Sequence, residues 1–403
     1  MQAFPFYFPQ IQYLKKHKQS YLDSAATTLK PQCVIDSLNE LYKTQVANVH
    51  RGDHYLSESL TTKYEEARSD IQKWIHAQSA EEIIFTKSTT ESINLISFSL
   101  EDIFQENDII LLTEMDHHSN ILPWQALAKR KNLHIEYIPI SPSGELLFSE
   151  YKSQYKKDKK IKLIAFTYYS NVLGTRTPVE DITSWAKENN ILTVVDAAQA
   201  VTAEPINVQN INCDFLAFSG HKLFAPSGVG VLYAKKSHFK YMKPWQMGGG
   251  MITNVELSNY EAAEPPFCFE AGTPFIEGVL ALKSVLHFLK EQGFFEAISK
   301  TDLLQYAEEE LKKIPDLSII SSPAAIKKNI LSFTLKSVHC RDLGQLISQA
   351  GVAVRSGHHC CLPLMKKLNL PSGTVRASFS IYNDEQDVVS LIKAIKKAKS
   401  ICL

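Results

Sequence analysis

The sequence predicts an α/β fold in which a large domain on a mostly parallel central sheet is followed by a smaller C-terminal α+β domain. Three observations lead there. Short apolar runs recur at 82–86, 108–113, 133–140, 161–167, 191–195, 214–218 and 229–234, with helix-like stretches between them, and strands that alternate with helices build parallel sheets. At 403 residues the chain exceeds the ordinary size of one compact core. Past Gly293 the pattern changes to a charged helix and shorter strands.

Taken in order, residues 1–20 form an N-terminal arm expected to pack with the small domain, and 21–292 form the large domain. Residues 57–77 and 273–292 read as long helices, the second with Val279, Leu282, Leu286 and Leu289 on one apolar stripe. Gly248, Gly249 and Gly250, after Pro244, mark a loop. The small domain, 293–403, is expected to hold a charged helix at 297–313, strands at 330–335, 352–355 and 374–381, and a closing helix at 385–401. No internal repeat or low-complexity tract interrupts the pattern.

Composition narrows the partners. Basic and acidic side chains balance at 43 each, so no overall field favours nucleic acid or an anionic membrane, and a small-molecule substrate is the default. The densest charge run, Lys156 to Lys160, reads as a solvated loop. No apolar segment approaches the roughly 20 residues that cross a bilayer, and the N-terminus lacks a basic leader before an apolar core, so a cytoplasmic location is expected. Seven scattered cysteines do not form a disulfide framework in such a setting. His358, His359, Cys360 and Cys361 stand in a row, and four consecutive residues cannot all turn toward one ion. No metal site is expected there, and a reactive thiol is favoured.

The chemistry gathers around Lys222. It sits in Phe218-Ser219-Gly220-His221-Lys222, just past a strand-like run. A lone turn lysine is ordinarily solvated, yet here a flexible amine able to form a Schiff base lies beside Ser219 and His221, donors for a phosphate. One turn can thus anchor both ends of pyridoxal 5'-phosphate. That cofactor needs a carboxylate to keep its ring nitrogen protonated. Asp196 ends the strand Leu192-Thr193-Val194-Val195-Asp196 as such a group would, although an acid there also serves as a helix cap. Gln199 is three residues on, within reach of the ring phenolate oxygen. Ser88 to Asn94 opens a helix after a strand and offers amides and hydroxyls to phosphate, Thr90 being the preferred contact. His117, after another strand, can stack on the ring and move protons.

Together these segments resemble the cysteine desulfurases. The resemblance rests on Leu22-Asp23-Ser24-Ala25-Ala26-Thr27-Thr28, Asn48-Val49-His50-Arg51-Gly52, the histidine pair within Glu114 to Asn120, Ser170-Asn171-Val172-Leu173-Gly174-Thr175, Val195-Asp196-Ala197-Ala198-Gln199-Ala200, the lysine turn, and Arg355-Ser356-Gly357-His358-His359-Cys360. It runs from about residue 20 to Asn383, and the motifs point to the group II, sulfur-mobilisation (SUF) type. It implies a fold-type-I pyridoxal-phosphate homodimer that turns L-cysteine into L-alanine. Sulfur is left as a persulfide on Cys360 and passed to a small acceptor protein for iron–sulfur cluster assembly. Lys222 is then the Schiff-base lysine, Asp196 the ring-nitrogen partner, Gln199 the phenolate partner, and His117 the stacking residue. Thr90, Ser219 and His221 hold the phosphate, joined by Thr273 from the second subunit. Asn171 and Arg376 bind the substrate carboxylate, the arginine through a bidentate fork. His50 and Arg51 are expected near the cofactor cleft.

A thiol nucleophile works as thiolate, and Arg355, His358 and His359 are candidates for the positive surroundings that favour one. The polar sequence before Cys360 suggests a mobile, accessible nucleophile. Cys361 departs from the family pattern, which has a small apolar residue there, and is expected to pack inward. Selenocysteine lyase chemistry on the same scaffold is the main rival. An aminotransferase or a non-catalytic scaffold subunit fits less well, given Lys222, His117, Asp196 and Cys360 together.

Overall fold

The computed structural model describes residues 4–156, 159–299, 302–321 and 326–402. Its main sheet has seven strands, in the order Ile83–Thr86, Gly230–Ala234, Phe215–Ser219, Leu192–Asp196, Ile161–Thr167, Ile109–Thr113, His134–Ile138. The Gly230–Ala234 strand runs antiparallel to both neighbours, and the other pairings are parallel. Each apolar run seen in the sequence is one of these strands.

Both faces of the central strands are covered, which explains why their runs are apolar rather than alternating; the edge strand His134–Ile138 is the exception, with His134 exposed. Leu216 and Phe218 point into one core with Val195, Phe166 and Ile164. Phe215 and Ala217 point into the other, with Val194, Leu163 and Ala165. Helices Tyr55–Trp74 and Gln32–Thr44 flank Ile276–Glu291 on the first face, where the expected stripe of Val279, Leu282, Leu286 and Leu289 is buried. Strands therefore end at one rim, and the turns after Thr86, Thr113, Asp196 and Ser219 gather there, as reactive groups do in open α/β sheets.

A second sheet is antiparallel, in the order Leu317–Ile319, Ile330–Leu335, Thr374–Ser378, Arg355–Gly357. Helices Leu303–Lys312, Cys340–Gln349 and Glu385–Cys402 share its core through Leu311, Leu343, Ile347 and Leu391. The N-terminal segment bridges the two parts. Phe8 meets Phe224, Phe288 and Tyr382, and Ser20–Tyr21 pairs in parallel with Val352–Ala353.

Two expectations need correction. The charged helix at 297–313 is two helices, Phe294–Ser299 and Leu303–Lys312, and residues 300 and 301 lie outside the described ones. The strand expected at 352–355 is also two, because the chain leaves its pairing with Ser20–Tyr21 after Ala353 and joins Thr374–Ser378 from Arg355 onward. In the lysine run, residues 157 and 158 lie outside the described ones, and Lys159 pairs with Glu136 at 2.7 Å. Among the described residues no helix is long and apolar enough to cross a membrane.

Candidate active site

The strand ends enclose a cavity of about 270 Å³. Its lining includes Lys222, Asp196, Gln199, His117, Thr90, Ser219, His221, Asn171, Arg376 and Cys360. Residues as far apart in sequence as Thr90 and Arg376 thus share one small space.

One end of the cavity is rich in hydroxyls. Helix Thr89–Ser99 starts there, with the Ser88 side chain accepting from the Glu91 amide. Gly230 permits this arrangement, since a Cβ on it would fall 2.6 Å from the Ser88 backbone. The Ser219 hydroxyl sits 2.8 Å from both the Thr89 amide and the Thr89 hydroxyl. Thr90 Oγ1 meets Ser119 Oγ at 2.7 Å. Such hydroxyls beside a helix start are suited to a phosphate. The His221 carbonyl accepts from the Thr28 amide and hydroxyl at 3.0 Å, which fixes the turn that presents Lys222.

The floor is acidic and buried. Asp196 is 4 % exposed, and its Oδ1 accepts from the Ala198 amide at 2.9 Å, while Oδ2 has no protein donor among the described residues. Burial raises its pKa, against the pull of Lys222. Burial likewise lowers Lys222 to about 8, although Asp196 opposes that. For both groups the loss of water outweighs their mutual attraction. Lys222 therefore gives up its proton easily. The Gln199 amide donates to the Ala25 carbonyl at 2.9 Å, which orients its side chain.

His117 is held neutral, its pKa lowered to about 4 by burial and by Lys222. Its Nδ1 accepts from the Ser119 amide at 3.1 Å, so the ring proton belongs on Nε2. Asp116 pins the same turn by accepting from the Thr113 amide and hydroxyl at 2.8 and 2.9 Å.

The opposite side is cationic. Arg376 is 2 % exposed and donates to the Asn171 carbonyl at 2.8 Å and to Asp23 at 3.3 Å. Its buried Nε has no partner among the described residues. Arg355 grips the same Asp23 at 3.0–3.2 Å. Two guanidiniums against one carboxylate leave a net positive charge for one substrate carboxylate. Asp23 lies in the Leu22–Thr28 segment, which by itself assigns it no role. Its function shows only once residues 23, 355 and 376 are brought together.

Cys360 is exposed but its backbone is not loose. His359 and Cys360 have φ of 51° and 56°, a left-handed pair that neighbours must hold. Asn171 Nδ2 donates to the His359 carbonyl at 2.8 Å, and the His118 amide donates to the Cys360 carbonyl at 2.8 Å. The turn that carries Cys360 is thus hydrogen-bonded to two distant segments, with its thiol accessible. His359 is not a cation beside that thiol. It is buried, its pKa is lowered to about 3 chiefly by burial, and its Nε2 lies 3.1 Å from the Thr374 carbonyl. Of the three candidates, Arg355 lines the cavity and interacts electrostatically with Cys360. Cys361 packs inward, fully buried with Met115, Val172, Leu173 and Leu364, and its Sγ lies 3.0 Å from Asn171 Oδ1.

Three residues lie elsewhere. Thr273, His50 and Arg51 line a separate cleft of about 420 Å³ with Glu270, not the Lys222 cavity of the same chain. Conversely, Thr89 and Ser119 take part without having been singled out. Their signal was adjacency to Thr90 and His117.

A buried carboxylate facing a lysine of lowered pKa, between a hydroxyl-lined helix start and an arginine with spare donors, fits pyridoxal 5'-phosphate by its donor set. The fold and cavity thereby define a pyridoxal-phosphate-dependent enzyme. The chain belongs to the aminotransferase class-V family, which it matches over residues 20–391, and within it stands among the cysteine desulfurases. It is 42% identical over 386 residues to a cysteine desulfurase of Serratia proteamaculans, covering 95% of this chain and 94% of that protein. A probable cysteine desulfurase of Halalkalibacterium halodurans is 40% identical over 381 residues, covering 94% and 93%. Among solved structures, the apo cysteine desulfurase of Thermococcus onnurineus superposes with a TM-score of 0.93 at 36% identity, over 99% of both chains. The S-sulfonic acid form of an Escherichia coli cysteine desulfurase gives 0.91 at 32%, over 99% and 98%.

Proposed function

We propose that this chain is a group II, SUF-type cysteine desulfurase, which converts L-cysteine to L-alanine and keeps the sulfur as a persulfide on Cys360. The observation that carries the reading is the convergence of Lys222, His117, Arg376 and Cys360 on one cavity. Pyridoxal 5'-phosphate supplies the electron sink that loosens bonds at the substrate's α- and β-carbons.

The protein's own groups do the rest. Thr90, Ser219 and His221 hold the phosphate, Asp196 faces the ring nitrogen, and Gln199 the phenolate oxygen. Arg376 and Asn171 receive the substrate carboxylate, matching the spare guanidinium donors and the net positive charge of the Asp23 cluster. Lys222, its pKa lowered to about 8, is partly neutral near physiological pH and takes or returns a proton at the α-carbon, with His117 sharing in that proton shuttle. Cys360 forms an S–S bond to the substrate sulfur as the Cβ–S bond breaks. The electron pair stays with carbon, which gains a proton and becomes the methyl group of alanine.

Thr273 contributes to the phosphate site of a second copy in a homodimer, since it lies away from the lysine of its own chain. The exposed thiol suits transfer to a small acceptor protein for iron–sulfur cluster assembly. Seven free cysteines fit a reducing, cytoplasmic setting. The test is alanine release from L-cysteine and from L-selenocysteine, in wild type and Cys360→Ala. Cysteine turnover that needs Cys360 supports the reading. Turnover confined to selenocysteine and indifferent to Cys360 defeats it.

A further inference from the structure

The second histidine of the pair, His118, has no part in the chemistry above, yet it touches the nucleophile's turn twice. Its backbone amide donates to the Cys360 carbonyl at 2.8 Å, and its Nε2 accepts from the Leu362 amide at 3.0 Å. Leu362 opens helix Leu362–Lys367, whose N-cap, Cys361, makes no side-chain cap bond. A helix start leaves its first amides without partners, and here the missing acceptor comes from a residue 244 positions away.

We propose that His118 is a positioning residue for the nucleophile. It closes a clamp across the peptides on either side of Cys361 and thereby holds Cys360 in its left-handed conformation at the cavity. The clamp also couples two reacting groups, because the preceding residue, His117, is held by the same turn through the Ser119 amide. The imidazole serves as acceptor, which requires it to be neutral, and burial together with the neighbouring His358 lowers its pKa. His358 is itself engaged with the Pro371 carbonyl at 2.8 Å, so it does not compete for Leu362. The inference rests on Cys360 being the sulfur acceptor.

The test uses the full-length, cofactor-loaded protein with His118→Leu, which keeps bulk without an acceptor, and His118→Gln, whose Oε1 lies about where Nε2 was. Amide hydrogen exchange across 358–363 should quicken about five-fold in His118→Leu, as loss of one hydrogen bond allows. The value of kcat should fall about as much, with KM for L-cysteine within about two-fold. His118→Gln should restore both. Unchanged exchange in His118→Leu, unchanged kcat despite faster exchange, or a His118→Gln as impaired as His118→Leu would each overturn the proposal. Exchange is read without turnover, so a wild type that releases no alanine would defeat the desulfurase reading while the exchange comparison still decides the clamp.

Discussion

Replacing Arg376 with lysine keeps the charge and removes the fork, which isolates the geometry of carboxylate recognition. In the structure one terminal nitrogen of Arg376 serves the Asn171 carbonyl and the other serves Asp23, while Nε is unpartnered among the described residues. A guanidinium has five N–H donors, so after those two bonds it retains enough for a two-point grip on a carboxylate. An ammonium has three, and two are claimed by the same internal acceptors. The substrate then loses one charge-assisted hydrogen bond, worth about 1.5–3 kcal/mol, or roughly a 10- to 100-fold rise in KM at about 1.4 kcal/mol per decade. Alanine release against L-cysteine concentration measures this, with cofactor absorbance as the control for an intact lysine end. A KM within about three-fold of wild type, at unchanged kcat, would refute the assignment of Arg376 to the carboxylate.

Asp196→Asn keeps the shape and the bond to the Ala198 amide but removes the buried charge. Turnover should fall about 100-fold or more, as for other lost electrostatic partners in a dry site. Spectral titration should also show the Lys222 amine with a pKa still lower than in wild type, because Asp196 is the group that raises it. Cys361→Ala should leave turnover and persulfide yield within about two-fold, with a stability cost of about 1 kcal/mol from the lost packing and the bond to Asn171, seen in thermal unfolding. A large loss of persulfide would instead make Cys361 part of sulfur transfer. His359, with its pKa lowered from 6.5 to about 3 in the fold, takes up a proton on unfolding before it does in the native state. Its contribution is therefore full above pH 6.5 and lost as pH falls from there toward 3, at up to about 1.4 kcal/mol per pH unit. Urea unfolding between pH 6.5 and 4.5 should show a shallower decline for His359→Gln, and identical slopes would contradict this.

The main sheet was legible because strands buried on both faces must be apolar throughout. Leu216 and Phe218 serve one core and Phe215 and Ala217 the other, so the run stands out without any alternation. The two strands made from 352–357 were not separable, because nothing local to Val354 shows that the chain changes partners from Ser20–Tyr21 to Thr374–Ser378. In the site, Lys222, Asp196 and Thr90 could be read from strand ends and helix starts, which are local signals. The cluster of Asp23, Arg355 and Arg376 could not, because their contacts join residues more than 300 positions apart. The left-handed backbone at Cys360 was not legible for a related reason. A polar stretch suggests a loose loop, whereas the hydrogen bonds from His118 and Asn171 that pin it come from distant segments.

The central claim is that Cys360 takes sulfur from L-cysteine at a cavity built around Lys222. Mass spectrometry of the peptide bearing Cys360, after incubation of the cofactor-loaded protein with L-cysteine, tests it most directly. One added sulfur on that peptide, removed by a reductant and accompanied by alanine release, is the predicted result. Alanine formed with no sulfur on Cys360, or sulfur found only on another cysteine, would contradict it.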